Sequence, residues 1–133
     1  MNTTETTTET TESIIITTGM FDLLKDQIRR KKLSPHNELK IAEQLKTAKQ
    51  VLRKDLPSNI VDIDRNVRMA DVESGETYTY RFVAPDKAKQ KNKTLSILSP
   101  IGLALIGYAE GTILSWEVEH SIRQLRIEEV SPL

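Results

Sequence analysis

Apolar residues recur every third or fourth position in the first part of the chain and every second position afterwards. Phe21, Leu24 and Ile28 lie on one helical face, and Thr18 is placed to cap that helix with Asp22 in its first turn. Arg29-Arg30-Lys31-Lys32-Leu33 ends the pattern. Ser34-Pro35 then reads as an N-cap followed by proline at the first helical position. Ile41, Leu45, Ala48 and Leu52 carry a second helix until Leu56-Pro57 stops it. Two amphipathic helices joined by so short a turn fold back antiparallel with their apolar stripes together. At 1.5 Å per residue the first spans roughly 20 Å and the second roughly 30 Å.

Beyond Pro57 the period is two. Val67, Met69 and Asp71 alternate with Arg68, Ala70 and Val72, Glu73-Ser74-Gly75-Glu76 is a turn, and Thr77 to Val83 is rich in strand formers. Asp86 to Asn92 reads as a polar loop carrying Lys87, Lys89 and Lys91, with Lys93 beside it, and Thr94 to Leu98 as a further strand. Ser99-Pro100 opens a short apolar helix over Ile101 to Ile106, which Gly107 closes. Strands over Thr112 to Val118 and Ser121 to Val130 complete an α+β arrangement with an antiparallel sheet.

Composition narrows the chemistry. The 133 residues balance 19 Lys and Arg against 19 Asp and Glu, so no global field draws the chain to nucleic acid or membrane. Without cysteine there are no disulfides, thiolate metal sites or thiol nucleophiles, which fits a reducing compartment. No apolar run reaches the ~20 residues of a membrane helix, and the N-terminus does not read as a secretory signal, so a cytoplasmic location is expected. Met1 to Ser13 is almost all Thr and Glu and is expected to be disordered. The organisation that follows is a tail over 1–13, a helical hairpin over 14–57 and a second module over 58–133. His36 and His120 stand apart from any ligand cluster, and Ser99 has no recognisable base, so no catalytic residue, metal or cofactor is implied.

Leu95-Ser96-Ile97-Leu98-Ser99-Pro100-Ile101-Gly102-Leu103-Ala104-Leu105-Ile106-Gly107 resembles the core signature of the GreA/GreB C-terminal domain, in which a strand leads through Ser-Pro into a short apolar helix. Tyr80-Arg81-Phe82-Val83 is similar to the strand ahead of that family's variable loop. The hairpin stands where the family has its N-terminal coiled coil. The resemblance implies an FKBP-like domain at the rim of the secondary channel of bacterial RNA polymerase. Ser99, Pro100, Ile101 and Leu103 would serve the docking contact, and Asn37 and Glu38 would stand at the hairpin tip. DNA would be met only indirectly, through the transcription complex, and the chain is expected to act as a monomer.

Two departures shape the expected role. The family's cleavage factors carry two acids three residues apart at the tip of a longer coiled coil, where they help hold a magnesium ion at the polymerase active centre. Here the matching run is Glu38-Leu39-Lys40-Ile41, with Ile41 in place of the second acid. In its short hairpin the chain resembles the branch of regulators of nucleoside diphosphate kinase, so regulation without efficient transcript cleavage is expected. Glu119-His120-Ser121 stands where the family commonly turns through Pro-Gly-Gly. An FKBP-like prolyl isomerase is an alternative, although 5% aromatic content makes an aromatic pocket hard to build. A coiled-coil interaction protein unrelated to polymerase is another. Residues 20–56 carry ten Lys and Arg against five Asp and Glu, and without interleaved aromatics this reads first as a solvated surface.

Overall fold

Alternation becomes pairing in the second half of the chain. The computed structural model describes residues 13–88 and 93–132. The Thr/Glu tail up to residue 12, and Lys89 and Lys91 of the polar loop, lie outside the described residues. Elements run in the order β1 (Ile15–Thr17), α1 (Thr18–Arg29), α2 (Pro35–Thr47), β2 (Lys49–Val51), β3 (Arg65–Asp71), β4 (Thr77–Val83), β5 (Thr94–Ser96), α3 (Pro100–Leu105), β6 (Ile113–Val118) and β7 (Ser121–Pro132).

The main sheet has the order β5-β4-β3-β7-β6. β3 and β4 form the expected hairpin, with Asp71 N–H donating to Glu76 O at 2.9 Å across the turn and Gly75 in the left-handed region at φ +77°. β7 pairs antiparallel with β3 and β6, and its register against β3 shifts between Arg68 and Met69. β5 is the exception to the antiparallel expectation, since it runs parallel to β4. β5 begins beside Arg81 and runs alongside the last three residues of β4. β6 and β7 are joined by Glu119 and His120, both left-handed at φ +48° and +70°. That geometry makes a two-residue hairpin turn without the glycine it normally favours.

The first half departs further from its periodicity. Ile14 to Ile16 does not merely lead into the helix: Ile15–Thr17 pairs in parallel with Lys49–Val51. Ile15 N–H donates to Gly107 O at 3.0 Å, and Lys49 N–H to Ile14 O at 2.9 Å. The cap of α1 is Thr17 rather than Thr18, its side chain accepting from Met20 N–H at 3.2 Å, and Asp22 consequently lies beyond the first turn. Ser34 caps α2 as expected, accepting from Asn37 N–H at 3.2 Å. α2 then stops at Thr47, well short of Leu56, because Ala48 turns extended and the next three residues are taken as the partner of β1. Tertiary pairing overrides a continuing helical pattern here, and Leu52 is left exposed. At 13 residues the second helix is roughly 20 Å long rather than 30 Å.

Both halves share one apolar core. Met20, Leu24 and Ile41 from the helices join Val67, Phe82, Leu105, Trp116 and Ile127 from the sheet side in a single cluster. The helix pair is therefore laid along the sheet. Asn37 reinforces this: its Nδ2 donates to Glu117 O at 3.1 Å and its Oδ1 accepts from Glu117 N–H at 2.9 Å. Lys40 Nζ adds a bond to Ser115 Oγ at 3.4 Å, so α2 is fastened along the outer strand β6.

Candidate functional site

The Ser-Pro corner is built by a tie to the sheet, a capped helix start and two closely packed glycines. β5 runs into Ile97, whose N–H donates to Val83 O at 2.9 Å and ties the corner to the sheet. Ser99 then adopts extended geometry and its Oγ accepts from Gly102 N–H at 3.1 Å, capping α3, while Pro100 occupies the first helical position, where no N–H is required. Gly102 has no room for a side chain: a Cβ there would stand 2.6 Å from the carbonyl oxygens of both Ser96 and Ile97. Gly107 closes the helix at φ +84° against Ile14 and Ile16.

Burial sorts the four residues expected at this corner. Pro100 is exposed, Ser99 and Ile101 are half-buried, and Leu103 is 5% exposed with its side chain in the core. Leu103 cannot offer itself to a partner as Pro100 and Ile101 can; it holds α3 down so that they stand out. The expected tip pair divides in the same way. Asn37 is 6% exposed and spends its amide on Glu117, so its side chain faces inward. Glu38 remains at the surface, 3.6 Å from Lys31 Nζ. Ile41, at the place of the second acid, is buried in the common core.

Ile101 also borders a groove of about 410 Å³ on the sheet face, walled by Tyr78, Tyr80, Leu95 and Val118. Asp71 and Arg123 form its polar wall. Arg123 Nε donates to Asp71 Oδ2 at 2.7 Å, while Asp71 Oδ1 accepts from the N–H groups of Glu73 and Ser74 at 3.0 and 3.1 Å. The Ser74 N–H, seconded by Arg123 and Glu73, holds the Asp71 carboxyl below its ordinary pKa in spite of its burial. Removal from water and the neighbouring Glu76 push the Tyr78 hydroxyl upward. The sequence reading missed this pair. Asp71 ahead of Glu73-Ser74-Gly75 is a recognisable turn signal, but Arg123 is brought to it only by the register of β3 on β7.

Comparison with known proteins converges on one family. The model described as "Transcription elongation factor, GreA/GreB, C-term" matches residues 56–132, more than half of the chain. A transcription elongation factor GreA of Desulfovibrio desulfuricans is 34% identical over 94 residues, covering 70% of this chain and 58% of that protein. A regulator of nucleoside diphosphate kinase from Escherichia coli is 28% identical over 75 residues, covering 56% of this chain and 55% of that protein. The chain spans about half the length of the curated relatives it matches. Among solved structures, a prokaryotic transcription elongation factor GreA/GreB from Nitrosomonas europaea superposes with a TM-score of 0.62 at 26% identity, covering 90% of this chain and 98% of the other.

Proposed function

Since the chain belongs to the GreA/GreB transcription elongation factor family, we propose that it binds bacterial RNA polymerase at the rim of the secondary channel and regulates elongation without stimulating transcript cleavage. The observation that carries the docking half is the corner Ser99-Pro100-Ile101, exposed at Pro100 and half-buried on either side, and held by the Ser99 cap and the Gly102 contact. Ile101 leads from that corner into the sheet-face groove, which suits an apolar side chain of the polymerase. In this reading the sheet half is the family's FKBP-like module and the helix pair its shortened coiled coil. The protein works as a cytoplasmic monomer, meets DNA only through the transcription complex and has no catalytic activity of its own.

The lack of cleavage stimulation follows from two features of the helix pair. Metal assistance needs carboxylates free to bind the ion. Glu38 is ion-paired with Lys31, and Ile41 points into the core, where an acid would be desolvated and unpaired. Reach is the second feature, because helices of 12 and 13 residues, roughly 20 Å each, lie on the sheet rather than projecting from it.

Pull-down with core polymerase tests the docking. The wild-type chain is expected to be retained, and Pro100→Ala together with Ile101→Asp to reduce retention by at least about tenfold, a loss of ~1.4 kcal/mol. Wild-type protein that stays unbound at every salt concentration overturns the proposal.

A further inference from the structure

The outer edge of β4 is only partly covered. β3 pairs with that strand from Thr77 to Phe82 on one side, while β5 pairs only with Arg81, Phe82 and Val83 on the other. Lys93, left-handed at φ +54°, precedes Thr94 and ends the extended run of β5 there. Thr77-Tyr78-Thr79-Tyr80 is left without a strand on its outer side among the described residues. We propose that this open edge, with the sheet-face groove beside it, takes an extended segment of a partner protein as an added strand. The inference goes beyond the polymerase reading and does not depend on it.

The hydrogen bonds already made assign the free groups. Asp64 N–H donates to Phe82 O at 2.6 Å and Asp71 N–H to Glu76 O at 2.9 Å, so the even-numbered residues bond towards β3. Arg81 N–H donates to Lys93 O at 3.0 Å on the opposite side. Alternation along the strand therefore turns the N–H and C=O of Thr77 and Thr79 to the open edge. Both residues are exposed. Sheet edges are ordinarily blunted by proline, a bulge or charged side chains. Thr77 to Tyr80 has none of these: its register on β3 runs without a shift, and charge stands only at its ends, on Glu76 and Arg81.

β5 shows what an added strand does at this edge. Leu95 lies opposite Phe82, and it lines the groove together with Tyr78, Tyr80 and Ile101. A segment that continues the line of β5 towards Thr77 sets every second side chain in the same row, against Tyr78 and Tyr80. Of the charged residues around the groove, Asp71 and Arg123 are bonded to each other and Glu119 belongs to the β6–β7 turn. Apolar and aromatic surface is what remains to meet the row. The occupant is thus an extended segment with apolar residues at alternate positions, bound through its backbone and anchored by side chains in the groove.

Amide resonances of the full chain are followed while a peptide alternating leucine and threonine, with a lysine at each end for solubility, is titrated in. Shifts and slowed exchange are expected at the Thr77 and Thr79 amides. Two N-methylated versions, one blocked at the leucines and one at the threonines, each lose the donors along one edge. Only one edge of the peptide faces β4, so one version is expected to bind at least about tenfold more weakly and the other like the parent. Thr79→Pro removes the outward N–H, leaves the pairing with β3 in place and is expected to weaken binding as much, whereas Thr79→Ala keeps it. Equal binding of all three peptides, no binding of the parent, or shifts confined to other residues overturns the inference. Exchange at Thr77 and Thr79 that is already slow in the free chain and varies with its concentration also overturns it, since a second copy then fills the edge. Should Thr79→Pro fail to fold, as judged by emission of the buried Trp116, the methylated peptides decide the matter on the wild-type chain.

Discussion

The sheet half and the helix half of this chain are held by different kinds of interaction. In the sheet, β3 is paired along its length on both sides and Val67, Met69, Leu125 and Ile127 are buried beneath it. The helix pair has an apolar stripe of Met20, Leu24 and Ile41 and a handful of polar fastenings, chiefly Asn37 to Glu117. A ladder distributes its stability over many equivalent bonds, whereas a fastening concentrates it in one side chain. The Ser-Pro corner therefore sits on the firm half, and the helix turn beside it is held in place by the weaker one.

The largest expected effect breaks the firm half at the corner itself. Gly102→Ala sets a Cβ 2.6 Å from two backbone carbonyl oxygens that cannot swing aside. A loss of about 3 kcal/mol is expected in denaturant unfolding, at the upper end for overpacking, with polymerase binding lost in parallel. Unchanged stability would show that the corner yields and is not rigid.

Asn37→Ala sharpens the comparison from the other side. It leaves the Glu117 N–H and carbonyl without their partners, a cost of about 1–3 kcal/mol. Amide hydrogen exchange should quicken in α2 and leave β3 and β7 protected. Equal acceleration in both halves would mean that they open as one unit.

The smallest effect concerns acid. The native pKa of Asp71 lies below its unfolded value, owing first to the Ser74 N–H and then to Arg123. Its contribution is therefore present above the ordinary carboxylate range and is lost as pH falls through the lowered native value. Asp71→Asn should flatten the acid limb of the stability curve and leave the neutral plateau lower, as measured by thermal unfolding across pH. A variant with the wild-type acid limb would show that Asp71 is not the group responsible.

The same contrast explains what could be read from the sequence. Every strand from Arg65 onward, the Ser34 and Ser99 caps and the Gly107 stop are written in local patterns: alternation, Ser-Pro pairs, a glycine after an apolar run. Illegible were the parallel pairing of Ile15–Thr17 with Lys49–Val51, the inward turn of Asn37 and the meeting of Asp71 with Arg123. Each depends on a partner far along the chain, and a helical period that would have carried α2 to Leu56 gives no warning that a strand needs Lys49 to Val51. Leu103 was misplaced for a related reason, since a short apolar helix shows no polar face from which to read its orientation.

In the proposed role the protein occupies the polymerase rim while its helix pair supplies no catalytic carboxylates. Transcript cleavage in stalled complexes, driven by a full-length cleavage factor and titrated with this protein, tests both parts at once. Cleavage is expected to fall to the unassisted level as the protein displaces the factor. Cleavage that stays constant would contradict the docking, and cleavage that rises would contradict the missing carboxylates.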